Sequence, residues 1–351
     1  MVKTMDMKIS NRVIGKGKPC FIIAEAGVNH NGKIELAKKL VDAAKNADAD
    51  AVKFQTFKTE EVMVRTAPKA EYQKETTGEG TQYDLIKKLE LSEKDFKELA
   101  GYAKQKGIIF LSTPFDEESA DLLEKLNVPT FKIGSGDLTN LLLLEHIAKK
   151  GKPIIVSTGM ATLDEVEDAV NAVKNTGNNQ LILLHCTSNY PANIEDCNLL
   201  AMHTLEKEFN VPVGYSDHTL GITVPVAAAA MGARVIEKHF TLDKNLPGPD
   251  HRASLEPDEL KEMVKEIRNV EKALGTGEKK PAKSEIEIQK VARKSIVAKV
   301  NIAKGSIITK EMLTVKRPGT GLVPKYYYKI VGKKAKKNIK ENELINWDMI
   351  E

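Results

Sequence analysis

The stretch "GYSDHTLGITVPVAAAAMGARVIEKHFT" (Gly214–Thr241) holds two of the chain's seven histidines, His218 and His239. Each closes a short apolar run of strand character, and an alanine-rich helical segment separates them. The same unit recurs through the preceding sequence. "CFIIAEAG" (20–27), "AVKFQTF" (51–57), "IIFLSTP" (108–114), "PTFKIGSGD" (129–137), "PIIVSTG" (153–159) and "QLILLHCTS" (180–188) come before "VPVGYSDH" (211–218) and "RVIEKHFT" (234–241). Segments such as "IELAKKLVDAAKNA", "SADLLEKLN" and "TLDEVEDAVNAVKN" lie between them, with apolar residues three and four apart. Near-continuous apolar strands alternating with helices predict an α/β protein with a parallel sheet covered by helices. Eight such units close a (β/α)8 TIM barrel, whose functional residues gather at the carboxyl ends of its strands. The competing open, doubly wound sheet has no phosphate-loop or dinucleotide glycine pattern to support it.

The 351 residues exceed one average domain. A barrel over 1–275, a polar linker over 276–290 and a compact domain over 291–351 account for them, the last small enough to need something to dock on. A hydrophobic content of 41% and a charged content of 29% are those of an ordinary globular protein. The net charge of +4 gives no reason to expect nucleic acid, and the cluster Lys333, Lys334, Lys336 and Lys337 reads as a solvated face. Cys20, Cys186 and Cys197 lack metal-ligand spacing and fit a reducing compartment. No signal-peptide core or membrane-length apolar stretch is visible, so a cytoplasmic location is expected.

Polar residues collect at the predicted strand ends: Glu25, Lys53, Gln55, Thr113, Lys132, Ser135, Ser157, Ser188, Ser216, His218 and His239. A purely structural core would be apolar there, so these side chains point to a site. His218 and His239, on neighbouring strands, suit a borderline divalent ion such as Mn²⁺, Fe²⁺, Co²⁺ or Zn²⁺. They serve equally well as hydrogen-bonding or acid/base groups without metal. Lys53 and Lys132 fit clamps for an anionic substrate, since an unpaired buried ammonium is costly, with Schiff-base chemistry as the rival role. Glu25 fits either a general acid/base or an ion-pair partner.

In order along the chain, "FIIAEAGVNHNG", "VKFQTFK", "STPFD", "FKIGSGD", "STGM", "HCTSNYP", "GYSDHT" and "EKHFTLDKNLPGPDHRASLEP" resemble the sialic acid synthase family. Its members include the N-acetylneuraminate, legionaminate and pseudaminate synthases. The tail, with "SIVAKVNIAKGSIITKEMLTVKRPGTG", resembles that family's antifreeze-like SAF domain, a β-clip fold. The resemblance spans nearly the whole chain. It implies condensation of phosphoenolpyruvate with N-acetylmannosamine or a related amino sugar, with a 2,4-diacetamido-2,4,6-trideoxyhexose, giving legionaminic or pseudaminic acid, as the alternative. It implies a divalent metal on His218 and His239, typically Mn²⁺ with Mg²⁺ or Co²⁺ as alternatives. It implies phosphoenolpyruvate on Lys53, Thr113, Lys132, Ser135, Ser188 and Ser216, and Glu25 at the acid/base position. The amino sugar would meet Gln55, Tyr190 and Asp250, together with Arg317 from the small domain of the other subunit in a domain-swapped homodimer. Relatives with Asn at position 188 or Glu at 137, where this chain has Ser188 and Asp137, leave the sugar open. The segment after the second strand, containing "KAEYQK", is expected to fold over the barrel mouth. Rival readings are a 3-deoxy-sugar-phosphate synthase, a Schiff-base aldolase and an inert carbohydrate- or ice-binding barrel.

Overall fold

Each apolar run yields a strand: β1 (Phe21–Gly27), β2 (Ala51–Thr56), β3 (Ile109–Pro114), β4 (Phe131–Ile133), β5 (Ile154–Ser157), β6 (Leu181–Cys186), β7 (Val213–Asp217) and β8 (Val235–His239). A computed structural model describes residues 6–351, apart from the side chains of Tyr72 and Glu75. Parallel ladders run in the order β3-β2-β1-β8-β7-β6-β5-β4, and β3 lies beside β4 across the remaining seam. The first and last strands are thus hydrogen-bonded to each other, as a TIM barrel requires. The run 129–137 gives much less strand than its sequence suggests. The chain leaves the sheet at Gly134, and Ser135–Asp137 form a 3₁₀ turn.

The barrel interior changes character along the strands. At the amino-terminal end it is apolar, built from Phe21, Ile23, Leu111, Ile155, Ile182 and Val235. A hairpin of Met7–Ile9 and Arg12–Ile14 buries Met7, Ile9 and Ile14 in the same cluster and closes that end. Outward-facing residues such as Val52, Val156 and Ile236 pack against the helices in a second, larger core. Turns into helices are fixed by reciprocal caps: Ser92 and Asp95 start Glu93–Lys106, and Thr162 and Glu165 start Leu163–Asn175.

One polar feature sits in the layer between strands and helices. Strand alternation aims Ser216, Glu237 and His239 inward, which leaves Asp217 and Lys238 outward. These two pair at 2.5 Å, with side chains 0% exposed on both sides. Thr219 donates to Asp217 from its backbone N–H (3.1 Å) and its hydroxyl (3.0 Å), and Lys238 donates to the Thr219 carbonyl. The residues flanking His218, and the one before His239, are therefore fastened together behind the sheet.

The chain divides after Gly275 into two compact units. In the second, Ser295–Ala298 pairs antiparallel with Leu313–Lys316 over a core including Ile296, Ile302, Ile308, Leu313, Ile339 and Ile345. The stretch 276–290 expected as linker contributes most of a helix, Glu285–Ala292. Gly319 donates its N–H to the Lys290 carbonyl at 2.7 Å, tying that helix to the rest of the unit. Among the described residues no helix is long and apolar enough to cross a membrane.

Replacing Lys238 with Met leaves the Asp217 carboxylate buried and unpaired. We expect destabilisation of about 3–5 kcal/mol in urea unfolding. The double variant Asp217→Asn/Lys238→Met should regain a substantial part of it, and a single variant as stable as the parent contradicts the ion pair.

Candidate active site

The carboxyl ends of the strands enclose a cavity of about 470 Å³. Glu25, Lys53, Gln55, Thr113, Lys132, Ser135, Ser188, Tyr190, Ser216, His218 and His239 all line it, as does Ser157. Parallel register explains the convergence, because one row across three strands reads His239, Glu25, Lys53.

Its floor is ionic and buried. Lys53 Nζ lies 2.8 Å from Glu25 Oε2 and 3.8 Å from Glu237 Oε2, and Lys132 Nζ lies 3.4 Å from Glu237 Oε1. Lys53 also donates to Thr113 Oγ1 (2.8 Å), while Lys132 donates to Ser157 Oγ (2.7 Å) and the Ile133 carbonyl (3.0 Å). Ser216 donates to Glu237 Oε1 at 3.2 Å. Burial disfavours the charged form of all four ionisable side chains, but their neighbours separate them. Burial raises the Glu25 carboxyl, with Lys53 opposing, whereas at Glu237 the Lys132 and Lys53 ammoniums overcome burial and hold the carboxyl below its ordinary range. Burial pulls Lys132 down, while Glu237 and Glu25 outweigh burial at Lys53.

Above this floor the imidazoles of His218 and His239 have centroids 5.5 Å apart, and the Tyr190 ring lies 4.1 Å from His218 and 5.7 Å from His239. His218 Nδ1 sits 2.7 Å from the Thr187 carbonyl, which can only accept, so Nδ1 carries hydrogen. That leaves Nε2 as the ring nitrogen open to a ligand. Burial would lower the His218 pKa, but the neighbouring Cys186 and the Thr187 carbonyl outweigh it and hold the pKa above its ordinary value. His239 Nδ1 is buried without a hydrogen-bond partner among the described residues. Burial, then the His218 charge, depress its pKa far enough to keep the ring neutral. The two imidazoles, with Nε2 of His218 and Nδ1 of His239 open and His218 giving up its extra proton on binding, are a chemically sound donor set for a divalent cation with open positions. Among the described residues no group of three or more His, Cys, Asp or Glu completes a closed metal cage.

Two glycines leave the room this arrangement needs. A Cβ at Gly159 would fall 2.2 Å from Ser188 Oγ and 2.8 Å from Ser135 Oγ, and the Gly159 N–H donates to Ser135 Oγ at 3.0 Å. Gly27 adopts φ +52° at an irregularity in the β1–β2 register, beside Glu25 and His239.

Three expected residues stand apart. Asp250 is buried but outside the cavity lining; burial lifts its pKa to about 6, against the nearby His218 charge. Asp137 also lies outside the lining and accepts from Asn140 Nδ2 at 3.3 Å. Arg317 is exposed on the second unit, just after the strand Leu313–Lys316. Five lining residues went unread in the sequence: Gln82, Phe115, Met160, Cys186 and Glu237. Glu237 had a signal, since it lies two residues before His239 on one strand and so faces the same way. The others sit on loops or carry apolar and thiol side chains that no chemical pattern marked.

The sequence matches the NeuB family over residues 40–279 and the SAF domain over residues 293–351. It is 52% identical to the N,N'-diacetyllegionaminic acid synthase of Legionella pneumophila, across 97% of this chain and 99% of that protein. It is 41% identical to the human N-acetylneuraminate-9-phosphate synthase, across 97% and 95% of the two chains. The crystal structure of the N-acetylneuraminic acid (sialic acid) synthetase of Leptospira borgpetersenii superimposes with a TM-score of 0.73 at 40% identity, covering 81% of this chain and 95% of that one. The barrel with its polar strand ends and the small domain after it are therefore those of the NeuB family of sialic-type acid synthases with a C-terminal SAF domain, to which this chain belongs.

Proposed function

We propose that this protein condenses phosphoenolpyruvate with an open-chain N-acetylated amino sugar in the cytoplasm, giving a nonulosonic acid and phosphate. The cavity floor carries the reading: two buried ammoniums balanced by two buried carboxylates, beneath the paired imidazoles of His218 and His239. A substrate with two anionic groups suits Lys53 and Lys132, with Thr113, Ser135, Ser188 and Ser216 as hydrogen-bonding hydroxyls. Gln55 and Tyr190 meet the sugar from the cavity lining, and Asp250, buried outside that lining, would support them from behind.

The methylene carbon of phosphoenolpyruvate forms a bond to the sugar aldehyde carbon as the C=O π pair moves to the aldehyde oxygen, which takes up a proton to become a hydroxyl. The resulting electron deficiency at C2 of phosphoenolpyruvate is met by water. Glu25 takes the proton from that water, since it is the carboxyl whose burial brings it toward proton exchange while Glu237 stays ionised between the lysines. Phosphate departs with cleavage of its C–O bond, leaving a 2-keto-3-deoxy acid. Lys53 and Lys132 act by position and charge, without covalent attachment. A divalent cation, most naturally Mn²⁺, held by His218 and His239 would supply Lewis-acid polarisation of the aldehyde.

For the sugar, 52% identity to a diacetyllegionaminic acid synthase against 41% to an N-acetylneuraminate-9-phosphate synthase favours a 2,4-diacetamido-2,4,6-trideoxyhexose. N-acetylmannosamine is the alternative. A domain-swapped homodimer would bring the partner subunit's Arg317 to the sugar's N-acyl group. In support, Met160, Ile194, Leu200 and Leu220 stand exposed on loops following β5, β6 and β7.

The test is phosphate release from phosphoenolpyruvate by metal-stripped protein with Mn²⁺ restored. It is run with 2,4-diacetamido-2,4,6-trideoxymannose and, separately, with N-acetylmannosamine. Release should need both metal and sugar; none with either sugar overturns the proposal. His239→Ala should lower turnover by about 100-fold or more with the circular dichroism of the barrel intact, and full activity would remove the metal assignment. Arg317→Ala should raise the sugar KM about tenfold, the scale of one lost charge-assisted hydrogen bond, and leave the phosphoenolpyruvate KM alone.

A further inference from the structure

Gln82 lines the cavity although it belongs to none of the barrel strands. It opens the helix Gln82–Lys87, within the excursion between β2 and the helix Glu93–Lys106. That excursion is firmly mounted. Phe57, Leu89 and Val28 form a small buried cluster with Leu85, Ile86 and Phe115 against it, and Thr59 donates from N–H (3.2 Å) and hydroxyl (2.8 Å) to Glu90 Oε2. The Gln82 N–H donates to the Ala67 carbonyl at 2.9 Å, and Thr81 caps the helix by accepting from the Asp84 N–H at 3.1 Å. The backbone of Gln82 is thus held in place at the cavity wall.

Its side chain is not committed in the same way. Nε2 makes one long contact, 3.4 Å to Gln73 Oε1, an atom that already accepts from the Ala70 N–H at 3.1 Å. Among the described residues Gln82 Oε1 accepts no hydrogen bond. The other carboxamide of the cavity, Gln55, lies on β2 and leans toward Glu25 at 3.5 Å. Gln82 therefore brings a donor and an acceptor to the wall, from the first residue of a short helix rather than from a strand end. A secondary amide carries the matching acceptor and donor. A hydroxyl also donates and accepts, but from a single atom, so it does not reach both the oxygen and the nitrogen of the carboxamide as an amide's separated C=O and N–H do.

We infer that Gln82 recognises the second acetamido group of a 2,4-diacetamido sugar and sets the preference for it over N-acetylmannosamine. The inference rests on the phosphoenolpyruvate condensation proposed above. It is tested on the full-length protein with phosphoenolpyruvate and Mn²⁺, measuring kcat/KM for both sugars in wild type, Gln82→Ala and the near-isosteric Gln82→Met. Both variants should lose about tenfold or more with the diacetamido sugar, the equivalent of one to two hydrogen bonds. Turnover of N-acetylmannosamine, the KM for phosphoenolpyruvate and the melting temperature should hold. Equal loss with both sugars, or no loss with either, overturns the inference. Wild type that uses only N-acetylmannosamine also overturns it while leaving the condensation standing. Wild type that releases phosphate with neither sugar overturns the condensation, and the inference with it.

Discussion

Lys53 stands between Glu25 and Glu237, and Glu237 in turn reaches Lys132. Four ionisable side chains inside a β-barrel have to neutralise one another, because a single uncompensated charge there costs on the order of several kcal/mol. They can do so only if their strands keep one register. Sliding β8 by one residue against β1 would turn Glu237 and His239 into the helix layer and bring Lys238 inward. It would also part Lys238 from Asp217, so the same slip breaks the charge balance on both faces of the sheet. Closure of the barrel and assembly of its floor are one requirement.

The apolar plug below strengthens that requirement. Phe21, Ile23, Leu111, Ile155 and Val235, sealed by the amino-terminal hairpin, keep water from the far end of the barrel. Charges on such a floor act on one another, and on anything placed above them, through a poorly screening medium. Glu25 and Glu237 illustrate the result. Two carboxyls sharing the same lysines are driven in opposite directions, because Glu237 faces both ammoniums closely enough to outweigh its burial and Glu25 does not.

Most of this was legible in the sequence for a geometric reason. Strand ends in a parallel barrel converge whatever the intervening helices do, so counting eight units and reading the polar residues toward the end of each finds Lys53, Lys132, His218 and His239. That reading passed over Glu237, which period two places on the same inward face as His239. The fourth strand proved short because the chain turns into a 3₁₀ helix at Ser135, which brings Ser135 to the Gly159 N–H. Gln82, Phe115 and Met160 were illegible, since they reach the cavity from segments outside the strands whose course depends on tertiary packing, the cluster around Phe57 above all for Gln82 and Phe115. Asp137 shared the "GSGD" motif with Ser135, but the 3₁₀ turn separates the two side chains, and only Ser135 lines the cavity.

This division between strand-borne floor and loop-borne wall bears on how a barrel of this kind can accept different sugars. A change on the floor alters the charge state of its neighbours: losing Glu237 strips two lysines of a counter-charge at once, and losing Lys53 leaves two carboxylates facing each other. The wall carries no such coupling. Gln82 sits on a helix with its own cap and its own small apolar cluster, and its carboxamide balances no charge. Its replacement changes what the cavity recognises without disturbing how the floor is held together. Relatives whose names specify different acid products can therefore share one fold at 41% to 52% identity with this chain. On the proposed function, what the substrates have in common would meet the strands, and what distinguishes them would meet the wall that Gln82 belongs to.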